Sequence, residues 1–275
     1  MSDLCIICGH KLEKNSNFTS KCKKCDFCIS HLKANFGAPV EGINDVRMEN
    51  FNKIFDLIKS EINDNCKMLE IGPGKGFFMK LAQEKNIDIF GIEPGKEEAQ
   101  FLSKQGLKVF NLEFPLKNIN FNEKYDFIIF NDVLEHINVS KLDEAIKQCY
   151  SLLNDNGLLI LNLPNSNGVF FKLASFFRLF KIDIFHERLW QKNFSSPHMT
   201  YFNDKNLDTF ITKYNFKLQK ETYLKTIDNN SKERISSSIK NSFLLHLISF
   251  LVNCLSYVME YLPKDIMLKI YKKGN

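Results

Sequence analysis

Two carboxylates, a run of glycines, a pair of histidines and four cysteines give this 275-residue chain its chemical capacity. The densest stretch is Met68-Leu69-Glu70-Ile71-Gly72-Pro73-Gly74-Lys75-Gly76, an apolar run carrying one acid and opening into glycines at every second position. Glycine suits a backbone that must turn sharply and admit a ligand with no Cβ in the way. A second acid, Glu93, ends the short apolar run Ile87 to Ile92, where it could accept hydrogen bonds from both hydroxyls of a ribose. Histidine, able to take a proton near neutral pH, stands at His136 and His198, with His186 beside Glu187 a weaker third choice. Cys5-x-x-Cys8 and Cys22-x-x-Cys25 form two knuckles whose four thiolates would make a closed, structural zinc site with no open position for catalysis.

Elements must hold these groups in place. The apolar run ending at Ile71, the glycine turn and a helix from Phe77 to Lys85 read as strand, turn and helix, the opening unit of a doubly wound α/β domain. Phe127-Ile128-Ile129-Phe130 is apolar on both faces, as a central parallel strand must be, and it ends at Asn131-Asp132. A helix from Ser140 to Leu153 follows, with Asn156-Gly157 after it and a strand from Leu158 to Leu163. Phe216 to Thr226 and Ile266 to Tyr271 read as the sixth and seventh strands, and a helix over Val46 to Ile62 should pack beside the first strand and partly cover the ligand.

The glycine spacing excludes two common readings. A nicotinamide fingerprint wants glycine where Phe77 stands, and a phosphate-binding P-loop wants Lys-Ser/Thr after its last glycine. What remains, E-x-G-x-G-x-G, resembles motif I of class I S-adenosylmethionine-dependent methyltransferases. The string N-D-V-L-E-H over Asn131 to His136 resembles the segment that follows strand four in that family. The resemblance implies a Rossmann-like, seven-stranded, mostly parallel sheet with helices on both faces. It implies S-adenosyl-L-methionine as cofactor, with Glu70, Gly72, Gly74, Gly76, Glu93 and Asn131 around it and Glu93 on the ribose. Arg188 to Phe202 resembles a "W…pRHlyhF" segment of methyltransferases from polysaccharide gene clusters; the histidine is kept as His198, but Ser195-Ser196 stand where an arginine is usual.

The expected organisation is a zinc ribbon over 1–33, a linker over 34–45 and a methyltransferase domain over 46–275, with an acceptor-side insertion about 166–202 and an apolar helix about 240–262. Too little apolar surface lies in the ribbon for it to fold alone, so the metal would supply its folding energy. Cys28 is expected to pack inward on the strand after the second knuckle, and Cys66, Cys149 and Cys254 in apolar cores. The phenylalanine-rich stretch Gly168 to Phe185 should stand over the mouth of the site. Polar residues recur along one narrow stripe of Phe243 to Leu262, which favours packing on protein, with peripheral membrane contact the alternative and a spanning helix disfavoured.

With 44% hydrophobic residues the chain can bury one large core, and a net charge of +5 permits an anionic partner without demanding one. The first 14 residues hold no apolar segment of the kind a signal peptide needs, so a cytoplasmic location is expected, possible contact being with the inner face of the membrane. The leading reading is an O-methyltransferase acting on a sugar or other small molecule in surface polysaccharide or glycolipid biosynthesis, with His198 or His136 as base. A ribosomal-RNA base methyltransferase is the alternative, though the N/D-P-P-Y/F string of many such enzymes is absent and nucleic acid is a disfavoured partner. A non-catalytic, cofactor-binding partner subunit is a third. Neither the acceptor's identity nor the oligomeric state can be read from the residues.

Overall fold

In the strands of the main sheet, successive apolar residues go to opposite faces, and this alternation sorts the molecule into two cores. The computed structural model describes residues 3–33, 44–117, 123–226 and 262–274. Cys254 and nearly all of the apolar segment about 240–262 lie outside them. Three short strands, β1 (Leu12–Lys14), β2 (Thr19–Cys22) and β3 (Cys28–Ser30), come first, followed by helix α1 (Asn44–Ile58). Alternating strands and helices then run β4 (Lys67–Ile71), α2 (Phe77–Glu84), β5 (Asp88–Ile92), α3 (Lys96–Lys104), β6 (Lys108–Phe110), β7 (Tyr125–Asn131), α4 (Leu142–Leu152) and β8 (Leu153–Pro164). The last third holds α5 (Val169–Leu179), α6 (Ile184–Leu189), β9 (Thr200–Tyr201), α7 (Asp204–Thr212), β10 (Phe216–Leu224) and β11 (Ile266–Lys273).

Seven strands pair in the order β10-β11-β8-β7-β4-β5-β6, all parallel except β11, which runs antiparallel to both neighbours. The expected sheet is therefore present. On one face Met68, Phe127, Ile129, Leu158, Ile160 and Leu268 pack with α1, α2 and α3. On the other, Leu69, Ile128, Phe130, Leu159 and Leu161 pack with α4 and α7. The chain leaves β4 toward β5 on one side and returns to β7 on the other, so the carboxyl ends of β4 and β7 flank a crevice where such sheets bind ligands.

Three details differ from the sequence reading. The third strand, β6, has no counterpart in it, because Lys108-Val109-Phe110 is short and mostly exposed and so carries no apolar run. Helix α1 ends at Ile58, where a single 3₁₀ turn over Lys59–Glu61 takes its place. Strand β8 begins at Leu153, five residues before the apolar run, and carries Asn156 with a φ of 64° near its start.

The N-terminal strands extend into the C-terminal part of the chain. β1, β2 and β3 form an antiparallel sheet whose fourth strand is β9, with Cys28 opposite Tyr201 and Ile29 opposite Thr200. Cys5, Ile7, Cys22, Phe27 and Ile29 share one apolar core with β7, β8, α4 and α7. The Phe27 and Phe202 rings lie 4.8 Å apart. Asn203 and Asn206, at the start of α7, both donate to the Cys25 carbonyl. Buried Lys269 on β11 ties that helix to β10 by donating to Asp208 of α7 and Glu221 of β10, each at 2.8 Å.

Candidate active site

The turn after β4 shows why its glycines are there. Gly72 and Gly76 have φ of 68° and 74°, in the left-handed region that side chains disfavour. Space is the second constraint: a Cβ on Gly72 would lie 2.8 Å from Val133 Cγ2, and one on Gly76 2.5 Å from Leu102 Cδ2. Gly74, also at positive φ, donates its N–H to Glu93 Oε2 at 3.1 Å, while Gly95 N–H donates to Oε1 at 2.9 Å. The two acids at the ends of β4 and β5 thus face one turn. Burial raises the Glu93 carboxyl, and the two amides pull it back.

Glu70 is the more unusual group. It is 2% exposed, accepts from Asn131 Nδ2 at 2.9 Å through Oε1, and leaves Oε2 buried with no partner. Burial pushes its carboxyl up to about 8, against the opposing pull of Asn131. Asn131 is in turn approached by Asn162 Nδ2 at 3.5 Å, a second support on β8 that the sequence reading missed.

These groups line a cavity of about 960 Å³ that runs from the glycine turn past Glu93 and Asn131 to His136 and His198. Arg47 and Phe51 of α1 reach it, so that helix does flank the ligand space. The far wall comes from Gln191, Phe194, Ser195, Ser196 and His198. None of residues 168–189 lines it, which corrects the expectation that the phenylalanine-rich stretch stands over the mouth. His186 is also removed from the site: it is buried beneath Phe18, its Nε2 lies 3.4 Å from Thr19 Oγ1, and burial pushes it down to about 4.

The two predicted histidines, 62 positions apart in sequence, meet edge to face with ring centroids 4.8 Å apart. Their hydrogen bonds fix the tautomers. His136 Nδ1 lies 3.0 Å from the Pro197 carbonyl, which can only accept, so Nδ1 carries the proton and Nε2 the lone pair. Tyr201 Oη donates to the Leu189 carbonyl and therefore accepts from His198 Nδ1, while Gln191 Nε2 donates to His198 Nε2. Burial lowers both imidazoles, His198 well below its ordinary value, so both are neutral at pH 7. Glu135, part of the Asn131–His136 string but not named there as a site residue, brings a buried and unpartnered Oε2 to the same place. Glu135, His136 and His198 each offer a donor atom within 4.8 Å of the others, a set that could also take a cation. The signal was in the string Leu134-Glu135-His136, where only the histidine drew attention.

At the other end of the ribbon core, Cys5, Cys8, Cys22 and Cys25 converge. Their Sγ atoms lie 3.5 Å (Cys5–Cys25), 3.4 Å (Cys8–Cys22) and 3.6 Å (Cys8–Cys25) apart. Disulfide sulfurs would be about 2.05 Å apart. The edge of a tetrahedron with metal–sulfur bonds of about 2.3 Å is roughly 3.8 Å, so the four thiols fit a zinc ion far better than a pair of bridges. Cys28 is not part of the set; it packs inward on β3 with Sγ toward the Asp26 carbonyl.

A methyltransferase-domain family model matches residues 44–221, more than half of the chain. The chain belongs to this family, and it is an S-adenosylmethionine-dependent methyltransferase of class I. Among curated relatives, the ribosomal RNA small subunit methyltransferase A of Mycoplasma mobile is 25% identical over 82% of this chain and 93% of its own length. The ubiquinone biosynthesis O-methyltransferase of Rickettsia prowazekii is 26% identical over 45% of this chain and 49% of its own length, so this chain spans about half of that relative. The fold is shared with the cyclopropane synthase MmaA2 of Mycobacterium tuberculosis, at a TM-score of 0.57 and 14% identity over 89% of this chain and 90% of that one.

Proposed function

We propose that this methyltransferase acts on a hydroxyl of a sugar or another small molecule in surface polysaccharide or glycolipid assembly, and that its four-cysteine cluster holds a structural zinc ion. The observation that carries the proposal is the neutral imidazole of His136, its unprotonated Nε2 fixed by the Pro197 carbonyl, in the wall of the cavity that the glycine turn opens. A hydroxyl is a poor nucleophile until a base takes its proton.

When bound, S-adenosylmethionine supplies a methyl group on a sulfonium that accepts the acceptor's electron pair. Gly72 and Gly74 line the space for it, and Glu93 faces the same space to take the ribose hydroxyls. Glu70 Oε2, buried and unpartnered, fits the methionine ammonium, with Asn131 holding the carboxylate in place. His136 takes the hydroxyl proton, and His198 packs against its ring. The apolar walls exclude water, which favours a displacement that consumes positive charge.

Glu70 gives this assignment a pH signature. Its carboxyl titrates at about 8 in the free protein and must be ionised to hold an ammonium. The affinity for S-adenosylhomocysteine, measured by calorimetry, should be flat above that pH and weaken about tenfold per unit below it. Glu70→Gln should lose both the affinity and the slope. The folded protein also binds a proton that the unfolded chain has released between the ordinary carboxyl range and pH 8, so stability falls as pH rises through that window. Glu70→Gln should therefore melt higher than wild type at pH 8 and like it at pH 5.

A second reading, methylation of ribosomal RNA, is motivated by the near full-length match to the Mycoplasma mobile enzyme. Against it, two of the ribbon's three clustered lysines are engaged by acids, Lys21 with Asp26 at 2.7 Å and Lys23 with Glu13 at 2.6 Å, which reduces its attraction for phosphates. The deciding experiment supplies methyl-labelled cofactor and purified enzyme to an extract of the host cell, then separates RNA, protein, lipid and carbohydrate. Label in carbohydrate or glycolipid supports the proposal. Label confined to RNA overturns it.

A further inference from the structure

Eight of the 11 residues of helix α5 are apolar, yet it buries only Phe171 and Ala174. Phe171 packs on Tyr201, its ring centroid 4.9 Å away. The rest of the helix and the turn into α6 face outward: Phe176 is 53% exposed, Leu179 77%, Phe180 63% and Ile184 68%. Phe176 and Phe180 pack on one another at 5.3 Å, and Phe177 on Phe185 at 4.8 Å, so the rings form a ridge. An exposed apolar patch of this kind marks a surface that meets something else.

The charge around the ridge selects what it meets. Residues 168–192 carry five basic side chains against two acidic ones. Both acids are engaged, Asp183 by Arg178 at 3.3 Å and Glu187 by Lys192. Lys172, Lys181 and Arg188 are exposed around the apolar ridge. Exposed apolar side chains accompanied by exposed cations suit the interface of an anionic bilayer, where rings enter the acyl boundary and lysines meet the headgroups. No helix among the described residues is long and apolar enough to cross a membrane.

We propose that the α5–α6 ridge docks this protein on anionic lipid. The inference does not depend on which acceptor is methylated. It has one geometric consequence for the site: the chain runs from the end of α6 directly into Gln191 and Phe194, so the acceptor wall lies next to the docked surface.

The test is flotation of the full chain with vesicles of phosphatidylcholine containing about a third phosphatidylglycerol, against phosphatidylcholine alone. Binding to the first and not the second is expected, weakening as salt shortens the screening length. Phe176→Ser with Phe180→Ser, and separately Lys172→Glu with Lys181→Glu, should each reduce the bound fraction at least tenfold. These positions are exposed, so affinity for S-adenosylhomocysteine and the melting curve should match wild type and separate lost docking from lost folding. Failure to float with anionic vesicles overturns the proposal, as does binding that the ridge substitutions leave unchanged. A dimer in light scattering that the same substitutions abolish would give the ridge to a second copy and also overturn it.

Discussion

Protein lacking metal at the four-cysteine cluster should bind S-adenosylhomocysteine within about threefold of the loaded protein, yet lose about 100-fold or more in kcat/KM, the cost of misplacing a reacting group by an ångström. The split follows from where the ribbon's hydrogen bonds go. Ser30 N–H donates to the Met199 carbonyl and Ser30 Oγ to the His198 carbonyl, both at 2.8 Å. Cys25 offers its carbonyl to Asn203 and Asn206, and Lys213 Nζ donates to the Ile6 carbonyl. All of these hold the acceptor wall or α7. The cofactor groups Glu70, Gly74, Glu93 and Asn131 bond instead to one another and to Gly95. Without metal, the four crowded thiols would lose the ion proposed to organise them, and the ribbon would loosen its hold on the acceptor wall. Cys8→Ser with Cys25→Ser, prepared under reducing conditions, is the direct test. Unchanged turnover would detach the ribbon from the site; equal collapse of cofactor affinity would mean that the ribbon supports the whole domain.

His136→Ala should lower kcat by about 10²–10⁴, the usual contribution of a positioned base, with cofactor affinity unchanged. The pH profile distinguishes a base from a spacer. Burial holds His136 below its ordinary value, so the acid limb of kcat in the wild type should lie below pH 6.5 and activity should be level through neutrality. The alanine variant should keep a small residual rate without that limb. His198→Ala should cost less, because its Nε2 already accepts from Gln191 and it meets His136 only by a ring edge. If His198→Ala proves the more damaging and removes the limb, the roles are reversed.

The cofactor half of the site was legible because its signals are local. Glu70 and the three glycines sit within seven residues, and the apolar runs of β4, β5, β7 and β8 announce a parallel sheet. The four cysteines were legible for the same reason, since metal spacing is a short-range rule. The acceptor half was only partly so. His136 and His198 could be named, but nothing in the residues says that they touch, because Pro197 and Gln191 bring them together across a loop. Glu135 and Asn162 were missed, since a buried acid and a buried amide look like ordinary polar residues until their surroundings are known. The phenylalanines of α5 were misplaced because composition tells that a surface is apolar, and not which way it faces. β6 escaped because three half-exposed residues carry no periodicity.

The sheet that joins β3 to β9 also orders events during synthesis. Ile29 must wait for Thr200 before the second edge of its strand is paired, and Ile6 must wait for Lys213. At ribosomal speeds of about 5–20 residues per second, that interval is on the order of ten seconds or more. For that time β3 presents an open edge, the kind of surface on which nascent chains stick to one another. The knuckles can close on an ion within the first 25 residues, long before the partner strand exists. Early metal capture would then hold the N-terminal knuckles together until β9 arrives to cover that edge.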